Sequence, residues 1–174
     1  SLKKKLLIGN ITISILTAWT ILVVAWCEYN HLIKTDIGLR ADKILRETFL
    51  FAGFAFIISL IREVVKDMED IEGDRKYGCK TMPIAWGINA TKIFVAVWIV
   101  VLAGVLLVVQ VYALRLTWWY SVSYTMLLIF IPLIWIFNKL LKASTSSDYH
   151  TISTAIKLVM LAGICSMIFF RIYA

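Results

Sequence analysis

The sequence predicts an all-α fold: a polytopic transmembrane helical bundle of about five helices, forming one membrane domain over residues 1–174. Three observations predict it. The chain is 61% hydrophobic with a mean hydropathy of +0.85, whereas apolar usage in ordinary domains is nearer about 45–50%. Several apolar runs approach the roughly 20 residues that cross a bilayer. The charged residues fall between those runs and hardly within them.

The first span is expected from about Leu6 to Trp26, and the second around Ala41 to Lys66. The uncharged part of the second, Thr48 to Ile61, is short for a span. It suits a helix whose ends are flanked by protein and water, as at a cavity mouth. The third span is expected from about Ile93 to Leu114, and the fourth from Trp118 to Phe137. Pro132 predicts a kink there, because proline removes a backbone donor and crowds the preceding turn. Trp118, Trp119 and Tyr120 form an interfacial aromatic belt at its start. The fifth span covers about Thr151 to Phe170, with Lys157 near enough to its start to snorkel.

Charge placement orients the bundle. With the acidic loop after the second span on the cytoplasmic side, twelve basic residues lie inside and six outside. The inner set is Lys3–Lys5, Arg62, Lys66, Arg75, Lys76, Lys80, Lys92, Lys139, Lys142 and Lys157. The outer set is Lys34, Arg40, Lys43, Arg46, Arg115 and Arg171. That distribution obeys the positive-inside rule, and the reverse would violate it. The net charge of +7 is spread over loops and forms no stripe, so a nucleic-acid partner is not expected. Cys27, Cys79 and Cys165 are far apart and show no C-x-x-C pair, which supports neither a zinc site nor a disulfide framework. His31 and His150 sit in polar loops and are expected to be solvated or interfacial.

Six of the eleven acidic residues lie between Glu63 and Asp74. Acidic side chains at a bilayer edge are costly and mark a site. Asp67, Asp70 and Asp74 are spaced i, i+3, i+7, so a continuous helix would put them on one face, with Glu63 beside them. Glu69 and Glu72 would point elsewhere, into solvent. Gly73 is expected to weaken or end the helix, and Gly78 and Pro83 to break the chain before the third span. An EF-hand is excluded, because its sixth position, counted from Asp67, would need glycine and holds Glu72. Carboxylates select hard cations, and Mg²⁺ binds through one or two of them plus substrate phosphates. The segment therefore predicts a metal-bridged phosphate site at a bundle mouth.

The string Lys66-Asp67-x-x-Asp70-x-Glu72-Gly73-Asp74-Arg75-x-x-Gly78-x-x-Thr81-Met82-Pro83 resembles the second Asp-rich motif of the UbiA-type intramembrane prenyltransferases. Those enzymes have nine membrane helices, with Asp-rich motifs after the second and sixth. Leu2-Lys3 and Gly9-Asn10 resemble the start of the family's fifth helix. Five spans with the motif after the second fit helices five to nine. Nothing here resembles the family's first motif. With Ser1 in place of a methionine, and Leu-Lys-Lys-Lys directly before a span, the chain is expected to be the C-terminal part of a longer prenyltransferase domain, inactive alone. The N-terminal half would lie in the same or another chain.

The resemblance implies Mg²⁺ as cofactor, with Asp67, Asp70 and Asp74 as metal ligands and catalytic residues. Lys66, Arg75, Lys76 and Lys80 would bind the diphosphate of an isoprenoid donor. Tyr77 and Trp86, which flank the motif, are expected in core or interface roles. The motif wording is most similar to the branch that transfers a geranylgeranyl group to the glycerol hydroxyl of geranylgeranylglyceryl phosphate, releasing diphosphate. A membrane-embedded, lipid-like acceptor is thus implied. Aromatic acceptors of the quinone, homogentisate or chlorophyll type are alternatives, as is a non-catalytic membrane subunit. A transporter would place ionisable residues deep in the spans, where this chain has almost none.

Overall fold

The computed structural model describes residues 7–34 and 38–169, with side chains over 7–29 and 45–169. The groups at Lys3–Lys5, His31, Lys34, Arg40, Lys43 and Arg171 lie outside the described side chains, as does Leu2-Lys3. The described chain runs α1 (Ile8–Lys34), α2 (Gly38–Glu69), α3 (Ile71–Lys76), α4 (Met82–Ala85), α5 (Ile88–Arg115), α6 (Trp119–Thr125), a π-helical turn (Met126–Phe130), α7 (Ile131–Lys142) and α8 (Ser146–Cys165). Five helical segments are long and apolar enough to cross a membrane: Ile8–Tyr29, Leu45–Glu69, Ile88–Arg115, Trp119–Lys142 and Ser146–Phe169. The protein is an integral membrane helical bundle. All-helical spans are what a bilayer allows, since every backbone N–H and C=O must be bonded internally.

α2 is the hub. Its first half buries a stripe through Ala52 and Ala55. Between Ile58 and Met68 it buries nearly its whole girth: Ile58, Ser59, Leu60, Ile61, Val64, Val65 and Met68. α1 packs antiparallel along it, as two cross-links set 7 and 8 residues apart show. Asn10 Nδ2 donates to Asp67 Oδ2 at 2.7 Å, and Thr17 Oγ1 meets Ser59 Oγ at 3.5 Å. α5 and α8 cover other faces of α2. α8 buries Tyr149, Ile152, Ile156, Val159 and Gly163, the i, i+3, i+7 stripe of a helix with one inward face. At Gly163 the ring of Phe54 comes so close that a Cβ would stand 2.5 Å from its Cε1. A small residue there lets two membrane helices approach.

The second span is longer than its uncharged stretch because protein holds its charged end. Arg62 Nη1 donates to Glu63 Oε1 at 2.6 Å, with the side chains 29% and 14% exposed. The fourth span is not merely kinked at Pro132. The turn before it opens into the π-helix Met126–Phe130, with Pro132 in the first turn of α7. Pro132 has no N–H to donate to Leu128 and its ring would crowd that carbonyl, so a wider turn relieves both. The aromatic belt divides. Trp119 and Tyr120 are exposed, whereas Trp118 turns half inward and lines a cavity. Tyr77 and Trp86 are also exposed, so an interface role fits them and a core role does not.

Chain ends and hydrogen bonds gather one set of helix termini together. A capping box of Thr145 and Asp148 starts α8. Ser146 Oγ then donates to the Glu69 carbonyl at 2.9 Å, and Lys92 Nζ donates to the Ala143 carbonyl. The start of α1, the end of α2, the start of α5, the end of α7 and the start of α8 therefore share one end of the bundle, here the near end. Gly78 (φ +65°) and Gly87 (φ +85°) turn the chain around α4 at that end, in a backbone region that glycine enters without strain.

Leu140, fully buried, tests the packing. Hydrophobic transfer contributes little between membrane helices, but the void left by truncation remains. Leu140→Ala is expected to cost about 2 kcal/mol or more, and Val108→Ala, at a 72% exposed position, less than about 0.5 kcal/mol. Reversible unfolding in mixed detergent micelles measures both.

Candidate functional site

The Asp-rich segment emerges at the near end, where α2 stops. The helix breaks at Asp70, not at Gly73 as expected. Asp70 adopts φ −93°, ψ 10°, while Gly73 lies within α3. The break is shallow. Asp70 N still donates to the Lys66 carbonyl at 3.0 Å and Asp74 N to the Asp70 carbonyl at 2.9 Å. Asp74 thus sits on a short helix, and the Cys79 N–H folds back to its carbonyl at 2.9 Å.

The three aspartates occupy different surroundings and do not share the uniform helix face expected of them. Asp67 is half-buried and held by Asn10 of α1. Asp70 is exposed. Asp74 is only 8% exposed as a whole residue, and its carboxylate oxygens, which reach solvent, make no hydrogen bond or ion pair among the described residues. Glu63 is engaged by Arg62. Glu69 departs from its expected solvated role: it is 21% exposed and its Oε1 stands 2.7 Å from His150 Nδ1. His150 itself remains 68% exposed, while Glu72 faces solvent. Lys66, Arg75, Lys76 and Lys80 are all exposed around the carboxylates, free to reach an anion arriving from the aqueous side.

Among the described residues, no three His, Cys, Asp or Glu side chains stand close enough together to hold a metal ion. The donors available are nonetheless hard carboxylate oxygens, the type that suits Mg²⁺, which takes one or two carboxylates and completes its shell with water and phosphate. The residues fit such an ion as part of a site.

Two features of the near end escaped sequence reasoning. Asn10 is 8% exposed and fixes Asp67. A lone amide in the first turn of an apolar span was a legible signal, since polar groups in a membrane helix need a reason. Its partner, 57 positions away, was not legible. The clasp of Glu69 by Ser146 and His150, which ties α8 to the last turn of α2, left no sequence signal.

Residues 1–168 match the UbiA prenyltransferase family, and the chain belongs to that family. It is 31% identical over 170 residues to the digeranylgeranylglyceryl phosphate synthase of Methanosphaera stadtmanae, covering 95% of this chain and 54% of that protein. It is 29% identical over 161 residues to the synthase of the same name from Methanobrevibacter smithii, covering 92% and 51%. With the one from Methanospirillum hungatei it shares 37% identity over 112 residues, 64% of this chain and 35% of that protein. The chain spans about half the length of the first two of these curated relatives. No solved structure matches it significantly.

The Asn10–Asp67 bond predicts measurable coupling. In a double-mutant cycle of Asn10→Ala and Asp67→Ala, the two changes are expected to be non-additive by about 1 kcal/mol or more in unfolding free energy. Additive effects would show that the bond contributes nothing.

Proposed function

We propose that this chain is the C-terminal part of a prenyltransferase domain that transfers a prenyl group from an isoprenoid diphosphate to the glycerol hydroxyl of a lipid precursor such as geranylgeranylglyceryl phosphate. The observation that carries the proposal is the pair Asp70 and Asp74, four residues apart at the mouth of a membrane bundle, whose carboxylates make no hydrogen bond or ion pair among the described residues and stand among the exposed Lys66, Arg75, Lys76 and Lys80. Family membership and the printed names of the relatives support the reaction class and the glycerol phosphate acceptor.

Asp70 and Asp74 would hold Mg²⁺, with Asp67 as a third ligand. When bound, the ion supplies positive charge against that developing on a departing diphosphate. Lys66, Arg75, Lys76 and Lys80 would bind the diphosphate oxygens by charge-assisted hydrogen bonds. In the transfer, the allylic C–O bond breaks with its electron pair leaving on the diphosphate. A new C–O bond forms to the acceptor hydroxyl, which loses its proton. Asn10 would keep Asp67 turned toward the near end throughout.

The near end would face the cytoplasm. Among the described side chains, Arg62, Lys66, Arg75, Lys76, Lys80, Lys92, Lys139 and Lys142 lie toward that end and only Arg46 and Arg115 at the other, while Lys157 falls mid-span in α8. The absence of a complete three-ligand group among the described residues, and the half-length match to the relatives, support the remaining ligands coming from a further segment in the same or another chain.

In the native membrane protein, Asp70→Asn and Asp74→Asn are each expected to lower Mg²⁺-dependent transfer from labelled geranylgeranyl diphosphate by about 100-fold or more, because a lost metal ligand removes several kcal/mol of charge stabilisation. Chelation of divalent cations should do the same and be reversed by added Mg²⁺. Normal turnover in both variants would sink the proposal.

A further inference from the structure

The end of the bundle opposite the Asp-rich segment is packed loosely. A cavity of about 340 Å³ lies there between α2, α5, the α6–π segment and α8. Arg46 and Trp118 stand at its rim, and Ile57, Leu102 and Ile129 line its inner part. Gln110 also lines it, at 5% exposed, and its Oε1 is buried with no hydrogen-bond partner. Only one other buried side-chain oxygen among the described residues lacks a partner, Thr81 Oγ1, and it lies outside this cavity.

An amide in an apolar membrane wall is costly unless something bonds it. Of the hydroxyls that line the cavity, those of Thr125 and Ser166 spend their protons on backbone, and those of Tyr112 and Ser121 make no bond to Gln110. Thr125 Oγ1 donates to the Ser121 carbonyl at 2.9 Å, and Ser166 Oγ to the Gly163 carbonyl at 2.6 Å. Gln110 Oε1 is thus left without a donor and open to one brought by a molecule in the cavity. It lies five residues before the end of α5, about 7–8 Å inside the helix end at the helical rise. Leu102 lies a further eight residues in, about 12 Å deeper. The cavity thus offers one unpartnered buried acceptor near its mouth and an apolar channel beneath it. At about 340 Å³ it is near the small end of the roughly 300–1,000 Å³ of ligand pockets, room for one short chain and not for a two-chain lipid.

We propose that this cavity binds a single-chain lipid alcohol drawn from the membrane. The hydroxyl donates to Gln110 Oε1, and the hydrocarbon chain runs inward between Ile57, Leu102 and Ile129. The site is separate from the Asp-rich segment. Ile57 and Asp67 are ten residues apart on one helix, about 15 Å, and the packed stretch from Ile58 to Val65 lies between them. The proposal does not rest on the prenyl-transfer reading.

Photolabelling of the native membrane protein in lipid nanodiscs tests it. The probe is a ten-carbon alcohol carrying a diazirine on its chain, compared with the methyl ether of the same molecule, which has no proton to donate. Labelling is mapped by mass spectrometry without any turnover. The alcohol is expected to label the cavity-facing residues of α2, α5 and α8 about 3- to 10-fold more than the ether, the margin of one net hydrogen bond, and unlabelled 1-decanol should compete. In Gln110→Leu that margin should vanish while ether labelling persists. Equal labelling by alcohol and ether in the unaltered protein would overturn the proposal without recourse to any variant. Labelling confined to lipid-facing surfaces, or an undiminished margin in Gln110→Leu, would overturn it too.

Discussion

The structure depends on the apolar positions of the inner half of α2 being enclosed by α1, α5 and α8. A membrane helix gains little from hiding apolar surface from lipid, so what holds it is close contact and internal bonding. From Ile58 to Met68 the helix has almost no lipid-facing surface. α1, α5 and α8 all set their positions against it, and the short α3 and α4 fold over its end. Because α2 is enclosed up to its last turn, the acidic segment leaves the bundle at a fixed place and height. The hydrogen bonds from Asn10 to Asp67 and from Ser146 to the Glu69 carbonyl then hold that exit from two sides.

The two ends of the bundle are built differently. At the near end, side chains bond to helix termini: Thr145 with Asp148, Ser146 with Glu69, Lys92 with Ala143. These contacts satisfy backbone groups that a helix leaves open at its ends. They make the near end rigid where charged groups must be held in the bilayer margin. At the far end Tyr124 donates to the Ala162 carbonyl at 3.0 Å. The cavity beneath Gln110 lies at that end, between α2, α5, the α6–π segment and α8.

The spans were legible in the sequence to within a few residues, because twenty apolar residues in a row leave few alternatives to a membrane helix. The helix ends were less so. α5 begins at Ile88, before the expected Ile93, since Gly87 at positive φ starts it and polar residues such as Asn89 fit its exposed first turn. The acidic segment was legible as a cluster, by composition and by its resemblance to a family motif. Its geometry was not. The spacing of Asp67, Asp70 and Asp74 assumes an unbroken helix, and a single bend at Asp70 gives the three carboxylates three environments. Nor could a pattern along the chain show that Glu69 meets His150 or that Asn10 meets Asp67. Those pairings follow from which helices touch, a property of the assembled bundle.

The π-helical turn at Met126–Phe130 has a consequence for how the fourth span tolerates change in length. A π turn closes its hydrogen bond over five residues where an α turn needs four, so this span carries one residue more than a regular helix would between the same two levels. Removing a residue from the turn would let it relax to α-helix, though Pro132 would then meet the carbonyl it now avoids. Removing a residue after it would instead rotate everything beyond the deletion by about 100°, so that a deletion just after the turn would swing Leu133, Ile136 and Leu140 out of the core. The turn thus acts as slack in the register of the span, a place where length can be absorbed before it reaches the packed half of the bundle.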